Sequence, residues 1–204
     1  MTEVSINKQA RLSEHLTSSS MAALGHSSEL DGSHLTPHFT LAEMCKTSAK
    51  TADGRSAQGD ALLAKNIPSH VHIENLKRLC GWLEMLRSEW NKRYGEGDDP
   101  IVINSAYRSE AVNKAVGGVK GSNHLTGCAA DIRVAGMEQA LRYAVILLDI
   151  SDERQRVGDG TSGMSREDFD ELLLERSPKG SYWLHFAVRP PSQENRRKIR
   201  FIQT

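Results

Sequence analysis

Ile73, Leu76, Leu79, Cys80, Leu83, Leu86 and Trp90 recur at spacings of three and four. That pattern gives one apolar stripe over about five turns, so the segment is a helix that buries a single face. Pro68 precedes it, and "YGEGDDP", with Gly95, Gly97 and Pro100, ends it. Four short runs offer strands: "IVINSAY" from Ile101, "AADIRV" from Ala129, "ELLLE" at 171–175 and "YWLHFAV" at 182–188. Ser109 is placed to cap a short helix, "EAVNKAV", that stops at Gly117 and Gly118. A further helix is expected over 137–149 on the strength of Leu141, Val145 and Leu148. Helices and strands do not alternate regularly. The expected fold is therefore α+β, a small antiparallel sheet with helices packed on one side.

The chain ends read differently from its middle. Residues 1–35 are rich in Ser, Thr and small polar residues and read as a flexible arm, with a single domain over 36–204. Order is expected to begin at "HFTLAEMCKTS", where Thr40 caps a short helix carrying Leu41 and Met44. Polar, Gly-containing stretches at 49–66 and 151–165 read as loops, and the basic tail "RPPSQENRRKIRF" reads as surface. Lys plus Arg and Asp plus Glu both number 26, so no net field draws the chain to nucleic acid or an anionic membrane. No run approaches the roughly 20 apolar residues of a membrane span, and the start shows no secretory h-region. The three cysteines, Cys45, Cys80 and Cys128, form no CxxC pair, which argues against a disulfide framework and a thiolate zinc knuckle.

The chemistry gathers around "SNHLTGCAAD", residues 122–131. In "AADIRV", Ala130, Ile132 and Val134 share one strand face, which puts Asp131 on the other. In "YWLHFAV", His185 likewise faces away from Leu184, Phe186 and Val188. If the two strands are neighbours, His185 and Asp131 converge, and His124 arrives from the loop. Two imidazoles and a carboxylate are a donor set suited to catalytic zinc, which uses about three protein ligands and leaves a position open. Taken singly, a histidine beside a strand is more often a hydrogen-bonded structural residue. Of the other six, His15, His26, His34 and His38 lie in or beside the arm, and the "HVH" of His70 and His72 offers a second possible chelate.

"SNHLTGCAAD" resembles the S-x-H-x-x-G-x-A-x-D signature of the M15 peptidases, the zinc D-Ala-D-Ala carboxypeptidase and endolysin-like group. "INSAYRS", "NKAVGGVKGSNH", "WLHF", "HFTLAEM", "NLKRLCGWLEMLR" and "ENRRK" are similar to that family's segments in the same order, over roughly residues 36–200. The resemblance implies a hedgehog/DD-peptidase-like fold, Zn2+ as cofactor, and His124, Asp131 and His185 as its ligands. It implies hydrolysis of amide bonds in bacterial peptidoglycan peptide stems. It also implies a carboxylate base; several relatives place it three residues before the last histidine, where this chain has Tyr182. Glu175, which closes "FDELLLE", matches the alternative position. Its rival Glu171 reads as a solvated strand-end charge. Arg108 matches an arginine that would hold a substrate carboxylate or steady an oxyanion, and Ser122 would support His124 through a hydrogen bond. Gly127 would supply a backbone conformation closed to other residues. Cys128 turns toward the aliphatic face, and Trp183 reads as core or pocket wall.

A zinc-stabilised binding module without hydrolysis is the alternative, as hedgehog relatives show for this fold. Nucleic-acid binding through "RRKIR" rests on a handful of charges. The expected place of action is the cell wall, reached from the cytoplasm by a phage-type release. The sequence does not separate carboxypeptidase from endopeptidase, and it is silent on oligomeric state.

Overall fold

The computed structural model describes residues 33–47, 65–157 and 168–203. Most of the arm at 1–35, most of the 49–66 loop and residues 158–165 of the second loop lie outside that set. A two-stranded ribbon, β1 (His34–Thr36) and β2 (Phe39–Thr40), leads into α1 (Leu41–Cys45). The Thr40 hydroxyl accepts from the Glu43 N–H at 3.2 Å, so the predicted cap is in place. Next come α2 (His70–Arg93), β3 (Ile103–Ser105), α3 (Glu110–Ala115), a single 3₁₀ turn (Asn123–Thr126) and β4 (Ala129–Arg133). Helix α4 (Met137–Val157) precedes β5 (Glu171–Arg176), β6 (Tyr182–Ala187) and β7 (Lys198–Gln203). No helix among the described residues is long and apolar enough to cross a membrane.

The five-stranded sheet runs β3-β4-β6-β5-β7. Its two faces have different duties because side chains alternate along each strand. Ala130, Ile132, Leu172, Leu174, Leu184 and Phe186 form the face buried in the core with α2 and α4. Leu76, Leu79, Leu83 and Leu86 of α2 are fully buried, as the stripe requires, and Trp82 meets Phe186 at 5.4 Å between ring centroids. Burying each leucine contributes about 1.5–3 kcal/mol. The opposite face carries Asp131, His185, Leu173, Glu171 and Glu175.

Three expectations need correction. Helix α4 runs to Val157, eight residues past 149, and it does not bury the stripe read from its sequence. Leu141 and Val145 are half exposed, while Ala140, Tyr143, Ile146, Leu147 and Ile150 enter the core. The basic tail does lie largely on the surface, as expected, but its last residues form a strand, β7, that was not expected. The sheet is not wholly antiparallel, because β7 runs parallel to β5. The reason lies in the connection: residues 188–197 step over the end of β5 and set β7 antiparallel to β6 but one strand away. Asp168 and Asp170 hold that crossing. Asp170 takes Arg196 at 2.6 Å and Arg189 at 2.9 Å, and Asp168 takes Arg197 at 3.4 Å.

Candidate metal centre

Register alone brings two of the site residues together. Asp131 of β4 stands opposite His185 of β6, and Leu173 of β5 lies on the other side of His185. Ser105 of β3 pairs with Asp131 on the remaining side. His124 comes from the 3₁₀ turn immediately before β4. That turn closes at Gly127, whose φ of +70° is a left-handed conformation. A Cβ there would also sit 2.7 Å from the His72 carbonyl oxygen, so both backbone geometry and space demand glycine. The expectation for Gly127 holds, and its consequence is to fold the turn tightly against the start of α2.

Three atoms then form a small triangle. His185 Nδ1 lies 2.9 Å from Asp131 Oδ1, and His124 Nε2 lies 3.3 Å from both. Donors about 2.0–2.1 Å from a tetrahedral zinc are separated by about 3.3–3.4 Å, so these spacings suit one ion. His124, Asp131 and His185 are 3%, 9% and 7% exposed, which means three potential ligands share a nearly dry site. They are the one such group of His, Cys, Asp and Glu among the described residues.

The surroundings fix which atoms face inward. His124 Nδ1 lies 2.6 Å from the Ala106 carbonyl oxygen. A carbonyl only accepts, so Nδ1 carries the proton and Nε2 presents its lone pair to the triangle. Ser122 acts on the backbone instead of the ring: its hydroxyl accepts from the His124 N–H at 3.4 Å. Arg108 donates through Nη2 to Asp131 Oδ2, leaving Oδ1 for the triangle, and through Nε to Ser105 Oγ at 2.8 Å.

The electrostatics agree with a site that favours positive charge. Burial pushes the His124 pKa down, against the pull of the Asp131 carboxylate. Burial also opposes charge on Asp131, but the two histidines outweigh it and hold the carboxyl well below its usual range. His185 is pushed up to about 9, because Asp131 and Glu171 overcome the cost of burying its charge. Two imidazoles with their inward nitrogens deprotonated and an ionised carboxylate are the donors a divalent cation requires, so binding of an ion would displace the proton that His185 otherwise takes up.

The two glutamates of β5 differ sharply. Glu171 is not the solvated strand-end charge expected of it, since its side chain is 13% exposed and faces His185 Nε2 at 3.5 Å. The adjacent His185 imidazole, with Lys198, holds its pKa far below the usual value against burial. Glu175 is half-buried and makes no hydrogen bond or ion pair with the described residues, and burial raises its pKa. It stands on the same sheet face, opposite Trp183, two residues along the strand from the register of His185. A carboxylate with raised pKa and no fixed partner suits proton transfer, and a clamped one does not. Cys128 is buried, and burial raises its thiol pKa, which works against a thiolate nucleophile.

Sequence reading missed the Ala106 carbonyl, Asn123 and the placement of Glu171. The first is a backbone group with no side-chain signature. The third was visible as alternation, since Glu171, Leu173 and Glu175 share one parity in "ELLLE".

No curated protein matches the sequence. A family model described as Peptidase M15 matches residues 37–152, which contain Arg108, Ser122, His124 and Asp131. His185 and Glu175 lie beyond the matched span, and the sheet register brings them to it. M15 peptidases are generally zinc-dependent, and the His124–Asp131–His185 group is a possible metal site of the corresponding kind. The chain belongs to the M15 family of peptidases.

Proposed function

We propose that this protein is a zinc peptidase that hydrolyses amide bonds in bacterial peptidoglycan stem peptides, on a hedgehog/DD-peptidase-like fold. The observation that carries the reading is the triangle of His124 Nε2, Asp131 Oδ1 and His185 Nδ1, with spacings of 2.9–3.3 Å. These residues would hold the metal, which when bound supplies Lewis acidity to activate a water and polarise the scissile carbonyl.

The remaining work falls to the chain's own groups. Glu175 takes the proton from the attacking water and passes it to the leaving amine. Its raised pKa makes it both a usable base and, once protonated, a usable acid. Arg108 orients Asp131 by binding its outer oxygen. Its positive charge at the edge of the triangle would offset negative charge that develops on the carbonyl oxygen. Ser122 steadies the backbone of His124.

Mass spectrometry of purified peptidoglycan digested by the protein tests this reading, with Glu175→Gln as control. A new stem fragment that the variant fails to make is the expected result, and its mass separates carboxypeptidase from endopeptidase action. Zinc-loaded protein that releases nothing from several wall chemistries would replace the enzyme with a binding module.

A further inference from the structure

Beyond the ligands and the base, one side chain ties the metal triangle to the C-terminal strand. Glu171 Oε1 accepts from Lys198 Nζ at 2.9 Å and lies 3.0 Å from Arg196 Nη2. Its Oε2 accepts from Asn123 Nδ2 at 3.1 Å and faces His185 Nε2 at 3.5 Å. The carboxylate is thus fixed by the turn that carries His124, by β6 that carries His185, and by the tail. His185 Nε2 is buried and makes no hydrogen bond among the described residues, so the Glu171 carboxylate is the polar group it faces. Its Nδ1 is the atom in the triangle.

We propose that Glu171 is a positioning residue for the metal: it holds the proton of His185 on Nε2 and thereby offers Nδ1 to the ion. A neutral imidazole carries one N–H, and whichever nitrogen has it is lost as a ligand. A carboxylate opposite Nε2 favours the proton there. It also raises the basicity of the other nitrogen, the general effect of an outer carboxylate on a metal-binding histidine. The 3.5 Å separation is an ion-pair contact longer than a formed hydrogen bond, and a ring drawn onto a metal can close it by a small rotation. Lys198 and Arg196 hold the carboxylate in place, so β7, which lies outside the family match, becomes part of the metal site.

The inference rests on the metallopeptidase reading, and zinc affinity of the full chain separates the two. Affinity is measured by competition with a chromophoric chelator for wild type, Glu171→Leu, Glu171→Gln and Lys198→Met, alongside the melting temperature of each metal-free protein. Glu171→Leu is expected to weaken zinc binding about 10–100-fold. Glu171→Gln should recover most of the affinity, because its amide oxygen still accepts from Nε2–H. Lys198→Met should lose less than the leucine variant, since Arg196 remains. Metal-free melting temperatures should not track these losses. Glu171→Leu with wild-type affinity overturns the positioning role, and so do equal losses in the Leu and Gln variants that follow their melting temperatures. Wild type that binds no zinc overturns the metallopeptidase reading itself.

Discussion

Gly127→Ala is a single-methyl change whose cost can be worked from the structure. The first part is conformational: φ at this position is +70°, and a residue with a Cβ in the left-handed region costs about 1–2 kcal/mol. The second part is steric. The new methyl would lie 2.7 Å from the His72 carbonyl oxygen and 3.2 Å from Leu76 Cγ. The first contact is backbone in the opening turn of α2, so no side-chain rotation relieves it. Helix or turn must shift, at about 1–3 kcal/mol by analogy with overpacked cores. The total is about 2–5 kcal/mol, and for a chain of this length it lowers the melting temperature by about 4–20 °C.

Gly121 supplies the control, because nothing lies within 4 Å of a Cβ built there and its φ is not positive. Gly121→Ala should stay within about 0.5 kcal/mol of wild type. The assay is urea and thermal unfolding of both metal-free variants. The same displacement moves the turn bearing His124, so Gly127→Ala should bind zinc more weakly, and Gly121→Ala should not. Equal stability of the two variants would refute the account of the turn.

Other perturbations probe the packing and the electrostatics separately. Leu83→Ala removes a fully buried α2 side chain and should cost about 2–5 kcal/mol in urea unfolding. Leu141→Ala, at a half-exposed position of α4, should fall within about 0.5 kcal/mol of wild type, and a large loss would show that the helix face is wrongly assigned. Burial opposes ionisation of Asp170, but bonds from Arg196 and Asn123 outweigh it and lower its pKa. A depressed carboxyl adds stability that is complete above its unfolded value and lost as pH falls through its folded one. The stability gap between wild type and Asp170→Asn should therefore close as pH is lowered past 3.8, and a constant gap would contradict the assignment. His185→Ala removes one corner of the triangle and should abolish stoichiometric zinc uptake on equilibrium dialysis, which retention at full occupancy would contradict.

The parts of the fold legible in the sequence are those where one face alone is apolar. Helix α2 has one stripe, and it is the stripe that is buried. Strand alternation placed Asp131 and His185 on one sheet face, and the register sets them opposite each other. Helix α4 was misread because apolar residues surround much of it. Leu141, Val145 and Leu148 satisfy the helical period as well as Tyr143, Ile146, Leu147 and Ile150 do, and packing decides between them.

The strand in the tail was missed for a different reason. "KIRFIQ" alternates, with Lys198 and Arg200 on one face and Ile199 and Phe201 on the other, but its basic character hides the period. Its partner, β5, is distant in sequence, and no local signal reports a parallel pairing. The same non-local pairing conceals the clamp on Glu171, whose cations arrive on that strand, as Lys198, and just before it, as Arg196. Site residues set by a strand's own alternation were therefore readable, and those set by the neighbour of a neighbour were not.

The central claim is that the His124–Asp131–His185 triangle binds the metal that hydrolysis requires. Its most direct test is to strip the protein with a chelator, dialyse the chelator away, and measure peptide release from peptidoglycan before and after adding one equivalent of zinc. The account predicts no release from the stripped protein and restoration at one zinc per chain, with no restoration in His185→Ala. Undiminished release by protein shown to be free of metal would contradict it.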